Sequence, residues 1–502
     1  MNNILNVILF ATKNIQYLNS FQKEIKYFTT LVNKDVNFTI AYEDGKFGLH
    51  DTSFNLKTVN TIIDNYLLKF SYLFIISDCT RLLKIIEKKD SCLCIHLTQE
   101  IRENSLNKNI LNINSLTKLK GYFNNNLPLN LLSILSRKKI KLQNKNIANK
   151  DKILEKVKSQ NGLYVFGTGT IGRQIFNLCD KLNIKVLGFY DNDENKQGTK
   201  TLKLKVHAPD SVSPNDQVII IASGNHSYCI EKQMKELNCQ YILNLSEFYY
   251  IFNCASTPEI NYYKELWENR VKYHALYIKL YDDKSKYVLD RIIKFRKTFN
   301  TYHLYKISEP NYAQWFDPNI LMKNVNHIYI DGGGYDGDTV KKFIEYNKKY
   351  KKIYYFEPDN YLYSKAKRSL KQYKNVYIYN IGLSDKKGVQ SFLATGGTEG
   401  RFTQEEDHLV NIDSIDNVVN DKATLIKLDV EGLEADAIKG ARSQIKMNSP
   451  FLAVAAYHKA SDLWSIPFQI DTLNNNYRFK LRHYTQVAYE TVLYAVPNND
   501  IC

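Results

Sequence analysis

Paired cysteines are missing from this 502-residue sequence: its eight cysteines include no CxxC pair. Most of them lie inside apolar segments such as SCLCIHL and IFNLCDKL. Buried free thiols of this kind are typical of a reducing compartment. The pattern therefore disfavours both a disulfide-stapled secreted domain and a structural zinc site.

Long apolar runs are also missing, since none reaches the roughly 20 residues that a membrane-spanning helix needs. The opening segment MNNILNVILFAT is apolar but short. It lacks the basic region and the small-residue cleavage site of a signal peptide, so we interpret it as a strand. We expect a cytoplasmic protein without a membrane span.

The positive charge is large but not organised. A net charge of +16 would suit nucleic acid, a membrane surface or anionic metabolites. The lysines are scattered, however, and there is no arginine-rich stripe, zinc-finger spacing or RNP-like aromatic motif. We therefore expect no nucleic-acid partner. A hydrophobic fraction of 44% over 502 residues predicts folded cores and two to four domains.

The first part of the chain alternates between strand and helix patterns. The segments LNVILFAT, YLFIISD and SCLCIHL read as strands, and NSFQKEIKYFTTLV and TRLLKIIEKK have helical periodicity. This alternation predicts a parallel Rossmann-like domain. Asp78 and Thr80 follow a strand, where they would either face a ligand or cap the next helix, and we favour the cap. The lysine- and asparagine-rich segment from Ser136 to Gln160 marks a linker that runs into a helix.

The second part begins with a glycine-rich turn between a strand and a helix, in GLYVFGTGTIG, and the next strand ends in an acid in GFYDND. Such a turn brings backbone amides and a helix amino terminus to a phosphate, and the acid is placed to accept a sugar hydroxyl. The predicted binding residues are Gly167, Thr168, Gly169, Thr170, Ile171, Gly172 and Asp191.

This second part, with IIIASG further on, resembles the half-Rossmann module of bacterial sugar-nucleotide acetyltransferases. The resemblance implies a bound nucleotide sugar. Two alternatives remain: a packing domain that binds nothing, and a metal-dependent glycosyltransferase, since residues 191–193 also satisfy the D-x-D pattern. The aromatic, helical segment that follows predicts a connector or cap.

The segment HIYIDGGGYDGDTV places an acid and a glycine loop at the end of a strand. Strands in KIYYFEPD, NVYIYNIGLSD, TLIKLDVEG, FLAVAAYHK, RFKLRHY and ETVLYAV follow, with Glu357 after the second strand. A glycine loop without a pyrophosphate fingerprint, combined with an acid that can take both ribose hydroxyls, suits a nucleoside such as that of S-adenosylmethionine.

Residues of about 310–497 resemble the FkbM-type S-adenosylmethionine-dependent methyltransferases. The motifs are YIDGGGYDGDTV, YYFEPD, IGLSDKKG, IKLDVEGLEADAIKGA, YHKASDLWSIP and HYTQVAYETVLYAV, with NYAQWFDPNIL as a lead-in. The resemblance implies methyl transfer, usually to oxygen, on sugars, glycans or secondary metabolites. The predicted organisation is a multidomain α/β chain: a Rossmann-like domain (1–147), a half-Rossmann domain (148–250), a helical connector (251–325) and a seven-stranded methyltransferase domain (326–502).

The predicted cofactor pocket and catalytic groups lie at the strand ends of this last domain. For chemistry we expect Asp429, as a base or as a ligand of a divalent ion, Glu431 beside it, and His458 as a general base. Glu431 and Glu434 alternatively cap the following helix, and His483 is a weaker candidate. The predicted cofactor-binding residues are Asp331, Gly332, Gly333, Gly334, Tyr335, Asp336, Glu357, Pro358, Asp359 and Asp429.

The remaining predictions concern substrate and partners. The loop from Leu393 to Asp407 is either a mobile substrate loop, in which Arg401 meets an anionic acceptor, or a solvated hairpin. The expected acceptor is a sugar, nucleotide sugar or glycan in bacterial surface-polysaccharide or flagellar-glycan biosynthesis. Residues 1–250 would present the acceptor, carry a second nucleotide-sugar activity, or act as a scaffold. Metal dependence and homo-oligomerisation stay open.

Overall fold

The computed structural model describes residues 144–213, 216–254, 257–393 and 409–498, together with strands at 5–11, 36–42, 73–77, 92–96, 110–112 and 401–402. The chain forms two compact units, one of residues 1–139 and 269–279 and the other of residues 140–268 and 280–502. None of the described helices is long and apolar enough to span a bilayer.

The first unit contains a five-stranded parallel sheet in the order β2-β1-β3-β4-β5. The three predicted strands are confirmed, and two further strands, VNFTIAY and ILN, were not predicted. The predicted helices between them, and Asp78 and Thr80, lie outside the described residues. The strands are β1 (Leu5–Ala11), β2 (Val36–Tyr42), β3 (Leu73–Ser77), β4 (Cys92–His96) and β5 (Ile110–Asn112), and the unit includes the helix Arg270–Lys279.

The second unit begins with a six-stranded sheet in the order β11-β10-β6-β7-β9-β8, parallel except for the β8–β9 hairpin. Strands β6 and β7 have the predicted bounds. The hairpin was not predicted, because its turn uses Leu202 and Lys203 at positive φ rather than glycine. The strands are β6 (Leu163–Phe166), β7 (Val186–Tyr190), β8 (Lys200–Thr201), β9 (Leu204–His207), β10 (Val218–Ile221) and β11 (Tyr241–Asn244).

Helices flank this sheet and then form the predicted connector. Arg296 fixes the connector to the last domain: it donates a 2.6 Å hydrogen bond to Ala460 O, and its guanidinium lies 4.3 Å from the centre of the Tyr262 ring. The helices are Lys145–Ala148, Lys150–Ser159, Thr170–Lys181, Ser227–Glu236, Leu245–Ile251, Tyr262–Glu268, Asp283–Thr298 and Tyr302–Tyr305, with 3-10 turns at Pro209–Ser211, Pro258–Asn261 and Asn311–Ala313.

The last domain contains a seven-stranded sheet in the order β14-β13-β12-β19-β20-β22-β21, in which β22 alone runs antiparallel to its neighbours. All seven predicted strands are confirmed. The carboxyl ends of the five parallel strands from β14 to β20 meet at one edge of the sheet. The strands are β12 (His327–Gly332), β13 (Tyr350–Phe356), β14 (Val376–Tyr379), β19 (Leu425–Leu428), β20 (Phe451–Ala455), β21 (Tyr477–His483) and β22 (Thr491–Pro497).

A small four-stranded sheet lies between β14 and β19, in the order β15-β18-β16-β17. Within the predicted loop Leu393–Asp407, Leu393 pairs with Arg401 in antiparallel register and Phe402 pairs with Phe392, whereas residues 394–400 and 403–407 lie outside the described part. The strands are β15 (Gly382–Leu383), β16 (Gly388–Leu393), β17 (Arg401–Phe402) and β18 (Leu409–Asp413), and the helices of this domain are Asp338–Asn347, Asn360–Leu370, Ile415–Val418, Glu434–Gly440, Arg442–Asn448 and Asp462–Leu473.

The loop between β21 and β22 joins the seven-stranded domain to the carboxyl edge of the six-stranded sheet. The backbone N–H of Gln486 donates to Gly224 O at 2.8 Å, and the Gln486 side chain accepts from the N–H of Tyr228 at 3.0 Å. Val487 is buried in the core of the six-stranded sheet. The two sheets are therefore joined by hydrogen bonds and by a shared core.

Candidate functional site

The glycine loop after β12 is pressed against the ends of two neighbouring strands. Gly333 has a φ of +70°, and a Cβ there would lie 1.8 Å from the carbonyl oxygen of Asp429. A Cβ on Gly334 would lie 2.1 Å from the Tyr355 ring. Neither position has room for a side chain. The glycines thus let the loop fold down onto β13 and β19.

Asp331, at the end of β12, forms a buried ion pair beneath this loop. Its Oδ2 accepts a 2.6 Å hydrogen bond from Thr339, and Lys427 Nζ lies 3.2 Å from its Oδ1. Lys427 also donates to the carbonyl oxygens of Gly332 and Gly333 at 3.2 and 2.5 Å. Burial lowers the pKa of Lys427, but Asp331, Asp429 and Asp338 together outweigh it and raise the pKa above its usual value. The pair therefore fixes the loop from below.

Glu357 follows β13 and faces the same loop. Its two oxygens accept 3.0 Å hydrogen bonds from the backbone N–H groups of Tyr335 and Asp359. Burial raises the pKa of Glu357 to about 7, more than these bonds lower it. Each oxygen keeps a lone pair that a ligand hydroxyl can use.

A cavity of about 300 Å³ opens at this edge of the sheet. Six of the predicted residues line it: Gly333, Tyr335, Glu357, Pro358, Asp429 and Glu431. Six others belong to the surrounding structure and do not line it: Asp331, Gly332, Gly334, Asp336, Asp359 and His458.

Two of these surrounding acids have local protein partners. Asp336 lies 3.0 Å from Lys365 in an ion pair. Asp359 is the N-cap of the following helix, and its Oδ1 accepts from the backbone N–H groups of Tyr361 and Leu362 at 2.8 and 3.0 Å. Their carboxylates thus hold the elements around the cavity.

Sequence reasoning gave no role to most residues of the cavity wall, among them Gln314, Trp315, Lys427, Tyr457 and Glu490. Trp315, Tyr335, Glu431 and Glu490 all have positive φ although none is glycine. Strained backbone of this kind is concentrated at functional sites. The strain could not be read from sequence, but Trp315 and Glu490 lie in two motifs of the family resemblance, NYAQWFDPNIL and HYTQVAYETVLYAV.

Acidic side chains surround His458 next to the cavity. His458 Nδ1 lies 3.0 Å from Glu434 Oε1, and Nε2 lies 3.3 Å from Glu431 Oε2 and 3.7 Å from Asp429 Oδ1. Asp429 Oδ1 also accepts a 3.1 Å hydrogen bond from Tyr457. Burial raises the pKa of Glu490, a further acid of the cavity wall, to about 7.

The charge state of His458 does not suit the predicted base. Burial lowers its pKa, but the carboxylates of Glu434 and Glu431 outweigh burial and hold the pKa well above its usual value. In the absence of a bound cation these carboxylates favour the protonated imidazole, which cannot accept a proton from a hydroxyl. His483, the weaker candidate, is a buried core residue whose Nδ1 lies 2.8 Å from Thr491 Oγ1, and burial lowers its pKa to about 4.

The capping alternative describes Glu434 better than Glu431. Glu434 Oε1 accepts from the backbone N–H groups of Val430 and Gly432 at 2.9 and 3.3 Å, so it closes the turn before its helix. Burial raises the pKa of Glu434, but His458 and these bonds outweigh it and lower the pKa. Glu431 lies in the turn itself and lines the cavity.

The second predicted site lies at the carboxyl edge of the six-stranded sheet. Asp191 Oδ2 accepts from the N–H of Thr168 at 3.0 Å and from the Thr168 hydroxyl, and Oδ1 accepts from the N–H of Asp193 at 3.0 Å. Lys196 Nζ lies 3.4 Å from both acids of the D-x-D pattern. Burial raises the pKa of Asp191, but Thr168 and the other partners outweigh it and lower the pKa.

The glycine turn of this second site has the predicted form. A Cβ on Gly172 would lie 1.9 Å from the carbonyl oxygen of Gly167, so the close strand-to-helix packing requires glycine. Gly169 faces open space and caps the helix Thr170–Lys181 without a side-chain hydrogen bond. Thr170 is exposed and Ile171 is partly buried. Among the described residues the helix amino terminus is therefore open, whereas both oxygens of Asp191 already accept hydrogen bonds within the sheet.

Comparisons with known proteins match two separate regions of the chain to family models. Residues 331–481 match the family model described as Methyltransferase FkbM domain, so the resemblance inferred from the motifs is confirmed for this region. Residues 159–241 match another family model, described as C2185-like, N-terminal, and the likeness to sugar acetyltransferases stays a prediction. No curated protein matches the chain.

Two solved structures resemble the chain. A methyltransferase FkbM from Methylobacillus flagellatus KT is 20% identical, with a TM-score of 0.57 over 72% of this chain and 96% of its own. At this identity the likeness establishes the fold. A fibrillarin from Aeropyrum pernix, in complex with natively bound S-adenosyl-L-methionine, is 13% identical over 35% of this chain and 69% of its own, but its TM-score of 0.24 is too low to support an argument.

Proposed function

We propose that the methyltransferase domain uses S-adenosylmethionine to methylate a hydroxyl group of a sugar or glycan precursor in bacterial surface-polysaccharide or flagellar-glycan biosynthesis. One observation carries the proposal. The cavity is lined by Glu357 and the glycine loop, which follow β13 and β12, and also by Asp429, Glu431 and Glu490, which come from elements further along the sheet. One pocket can thus hold a nucleoside and a hydroxyl-bearing acceptor side by side.

The residues of the first set fit the cofactor. Glu357 has free lone pairs for ribose hydroxyls, and a carboxylate forms charge-assisted hydrogen bonds with them. Phe356, Leu362, Leu383 and Phe392 give the same wall an apolar surface suited to a base. Bound there, S-adenosylmethionine would supply the methyl group as an electrophile activated by its sulfonium.

The residues of the second set fit a polyhydroxylated acceptor. The carboxylates of Asp429, Glu431 and Glu490 can accept hydrogen bonds from hydroxyl groups, and the rings of Trp315 and Tyr457 offer flat apolar faces. Acids in this wall do not favour the anionic acceptor that one of the two alternatives for Arg401 implied. We therefore favour a neutral sugar or glycan.

The proton of the acceptor hydroxyl goes to a cavity carboxylate in this proposal. Glu490 lines the wall, and its pKa of about 7 suits a general base at neutral pH. The acceptor oxygen forms its bond to the methyl carbon while the sulfur–carbon bond breaks, its electron pair stays on sulfur, and Glu490 takes the proton. Asp429 and Glu431 orient the hydroxyl.

Calorimetric titration of the full chain with S-adenosylmethionine tests the cofactor assignment. We expect one molecule to bind, and Glu490→Gln to bind it equally well. In an assay with a panel of sugars and glycan precursors, Glu490→Gln should lower kcat by about 10²-fold or more, the usual contribution of a general base. Absence of cofactor binding by the wild-type chain would overturn the proposed function.

For the six-stranded domain we propose a supporting role rather than a second activity. Its strand-end acid is already paired, and its turn at Gly224 holds the loop that delivers Glu490 to the cavity. Titration of the full chain with a panel of nucleotide sugars tests this proposal. If a nucleotide sugar binds to the wild type but not to a Gly169→Trp variant, the six-stranded domain is a nucleotide-sugar site or carries a second activity, and the supporting role is overturned.

A further inference from the structure

Three side chains next to the cavity have the composition of a metal site. Asp429, Glu434 and His458 each offer one ligand atom, and these atoms all lie within 4.8 Å of one another. They follow β19 and β20, so the fold brings them together from two strand ends and the turn before a helix. Two ligands with bonds of about 2.1 Å lie at most about 4.2 Å apart, so small side-chain movements would bring these atoms around one cation.

Two buried atoms at this place have no hydrogen-bond partner in the described part of the chain. They are Glu434 Oε2 and His458 Nδ1. Glu434 is only 1% exposed, so water cannot reach it freely. His458 Nδ1 lies 3.0 Å from Glu434 Oε1 but outside the hydrogen-bond directions. An unsatisfied buried oxygen or nitrogen is unfavourable, and a bound cation would satisfy both atoms.

Other groups orient the three side chains from outside. Glu431 Oε2 lies 3.3 Å from His458 Nε2, the ring nitrogen opposite the unpartnered one. Backbone N–H groups of Val430 and Gly432 hold Glu434 Oε1, and the Tyr457 hydroxyl holds Asp429 Oδ1. A carboxylate on the second ring nitrogen and hydrogen bonds on ligating carboxylates are regular features of protein metal sites.

We propose that Asp429, Glu434 and His458 bind one divalent cation at the acceptor side of the cavity. One imidazole and two carboxylates suit Mn²⁺ or Zn²⁺ better than Ca²⁺. Asp429 also lines the cavity, so the cation lies close enough to the proposed acceptor to polarise its hydroxyl and assist proton loss to Glu490. This role rests on the proposed methyl transfer, whereas the binding of the cation does not.

Titration of chelator-treated full chain with Mn²⁺, followed by electron paramagnetic resonance of the free ion, tests the site. We expect one Mn²⁺ per chain, competition by Zn²⁺, and binding at least tenfold weaker in Glu434→Gln and in His458→Gln. Asp429→Asn, at a partly exposed position that tolerates change, should weaken binding as well. Glu259→Gln is the matched control: Glu259 is an equally buried glutamate outside the cluster, and we expect unchanged binding.

The same chelated samples, titrated with S-adenosylmethionine, separate this inference from the proposed function. Cofactor binding without stoichiometric Mn²⁺ or Zn²⁺ binding would overturn the metal site and leave the methyltransferase proposal standing. Metal binding without cofactor binding would support the metal site and overturn the methyltransferase proposal. Metal binding that is equal in the wild-type chain and all three ligand variants would mean an adventitious ion and would also overturn the site.

Discussion

The six-stranded and seven-stranded sheets have the same arrangement of glycine loop and acid at their carboxyl edges. In each sheet a strand runs into a glycine loop and a helix, and the neighbouring strand ends in an acid. In each sheet that acid accepts a 3.0 Å hydrogen bond from a backbone N–H of the loop, Thr168 to Asp191 in one and Tyr335 to Glu357 in the other. The acid therefore braces its glycine loop in both places.

The two acids differ in the number and charge of the partners that their carboxylates already have. Asp191 also receives the Thr168 hydroxyl and the N–H of Asp193 and lies beside Lys196, and its pKa is lowered as a result. Glu357 receives backbone N–H groups alone among the described residues, lines a cavity, and has its pKa raised to about 7 by burial.

The difference shows what distinguishes an acid that only stabilises its loop from an acid that can also bind a ligand. The motif of glycine loop and acid is common to both, and by itself it indicates only how the loop is held. A ligand site needs in addition an acid with unused lone pairs and a cavity in front of it. The predictions below test this distinction, beginning with the largest effect.

Lys427 has no counterpart in the six-stranded sheet, where the equivalent inner strand β10 (VIII) is entirely apolar. Lys427→Met leaves Asp331 charged and fully buried without its ion-pair partner. Removing one member of a buried ion pair costs about 3–5 kcal/mol of stability. We expect a loss of this size in urea unfolding followed by tryptophan fluorescence, since Lys427 Nζ lies 5.2 Å from the centre of the Trp315 ring.

The double variant Asp331→Asn with Lys427→Met serves as the control for this loss. It removes both charges and keeps an acceptor for Thr339, so we expect it to recover a large part of the lost stability. If the double variant is no more stable than Lys427→Met, the lysine acts through its bonds to Gly332 and Gly333 rather than through the ion pair.

Glu357→Ala and Asp191→Ala form a matched pair for ligand binding. Hydrogen bonds to a charged group contribute about 1.5–3 kcal/mol, so Glu357→Ala should weaken S-adenosylmethionine binding about 10- to 100-fold. Asp191→Ala should leave the Kd within about twofold, because its carboxylate is engaged within its own sheet. Calorimetry on both variants checks this, and equal effects would remove the distinction between the two acids.

The pH dependence of cofactor binding provides a finer test. The ionised form of Glu357 is the stronger acceptor for ribose hydroxyls, and its pKa in the free protein is about 7. Affinity should therefore rise about tenfold from pH 6 to pH 8, as the ionised fraction rises. In Glu357→Gln this dependence should disappear. A wild-type Kd that does not change with pH would mean that the negative charge of Glu357 does not contribute to cofactor binding.

Periodicity and turn residues were enough to predict most of the fold. All seven strands of the last domain and the bounds of β6 and β7 agree with the prediction, because alternating or continuous apolar runs between glycine-containing turns are a local signal. The β8–β9 hairpin was missed because its strands are two and four residues long and its turn contains no glycine.

The candidate site could be predicted only in part. Glu357 and Asp429 line the cavity as expected, because strand ends determine their places. Trp315 and Glu490 come from the lead-in segment and the last loop, and only tertiary packing brings them to the cavity. The charge state of His458 was also inaccessible, since it depends on three carboxylates from a neighbouring turn rather than on its place after β20.

Asp191→Asn should produce the smallest effect and completes the comparison. Asparagine keeps one acceptor for Thr168 but loses the charge beside Lys196, whose side chain is 46% exposed, so we expect a loss of about 1 kcal/mol. The pKa of Asp191 lies below its usual value of 3.8. The greater stability of the wild type is therefore present at neutral pH and disappears as the pH falls through the pKa of Asp191 in the folded state. Thermal unfolding of both proteins at pH 7 and near pH 3 measures the difference. An unchanged melting temperature at both pH values, together with loss of nucleotide-sugar binding, would mean that Asp191 serves a ligand after all.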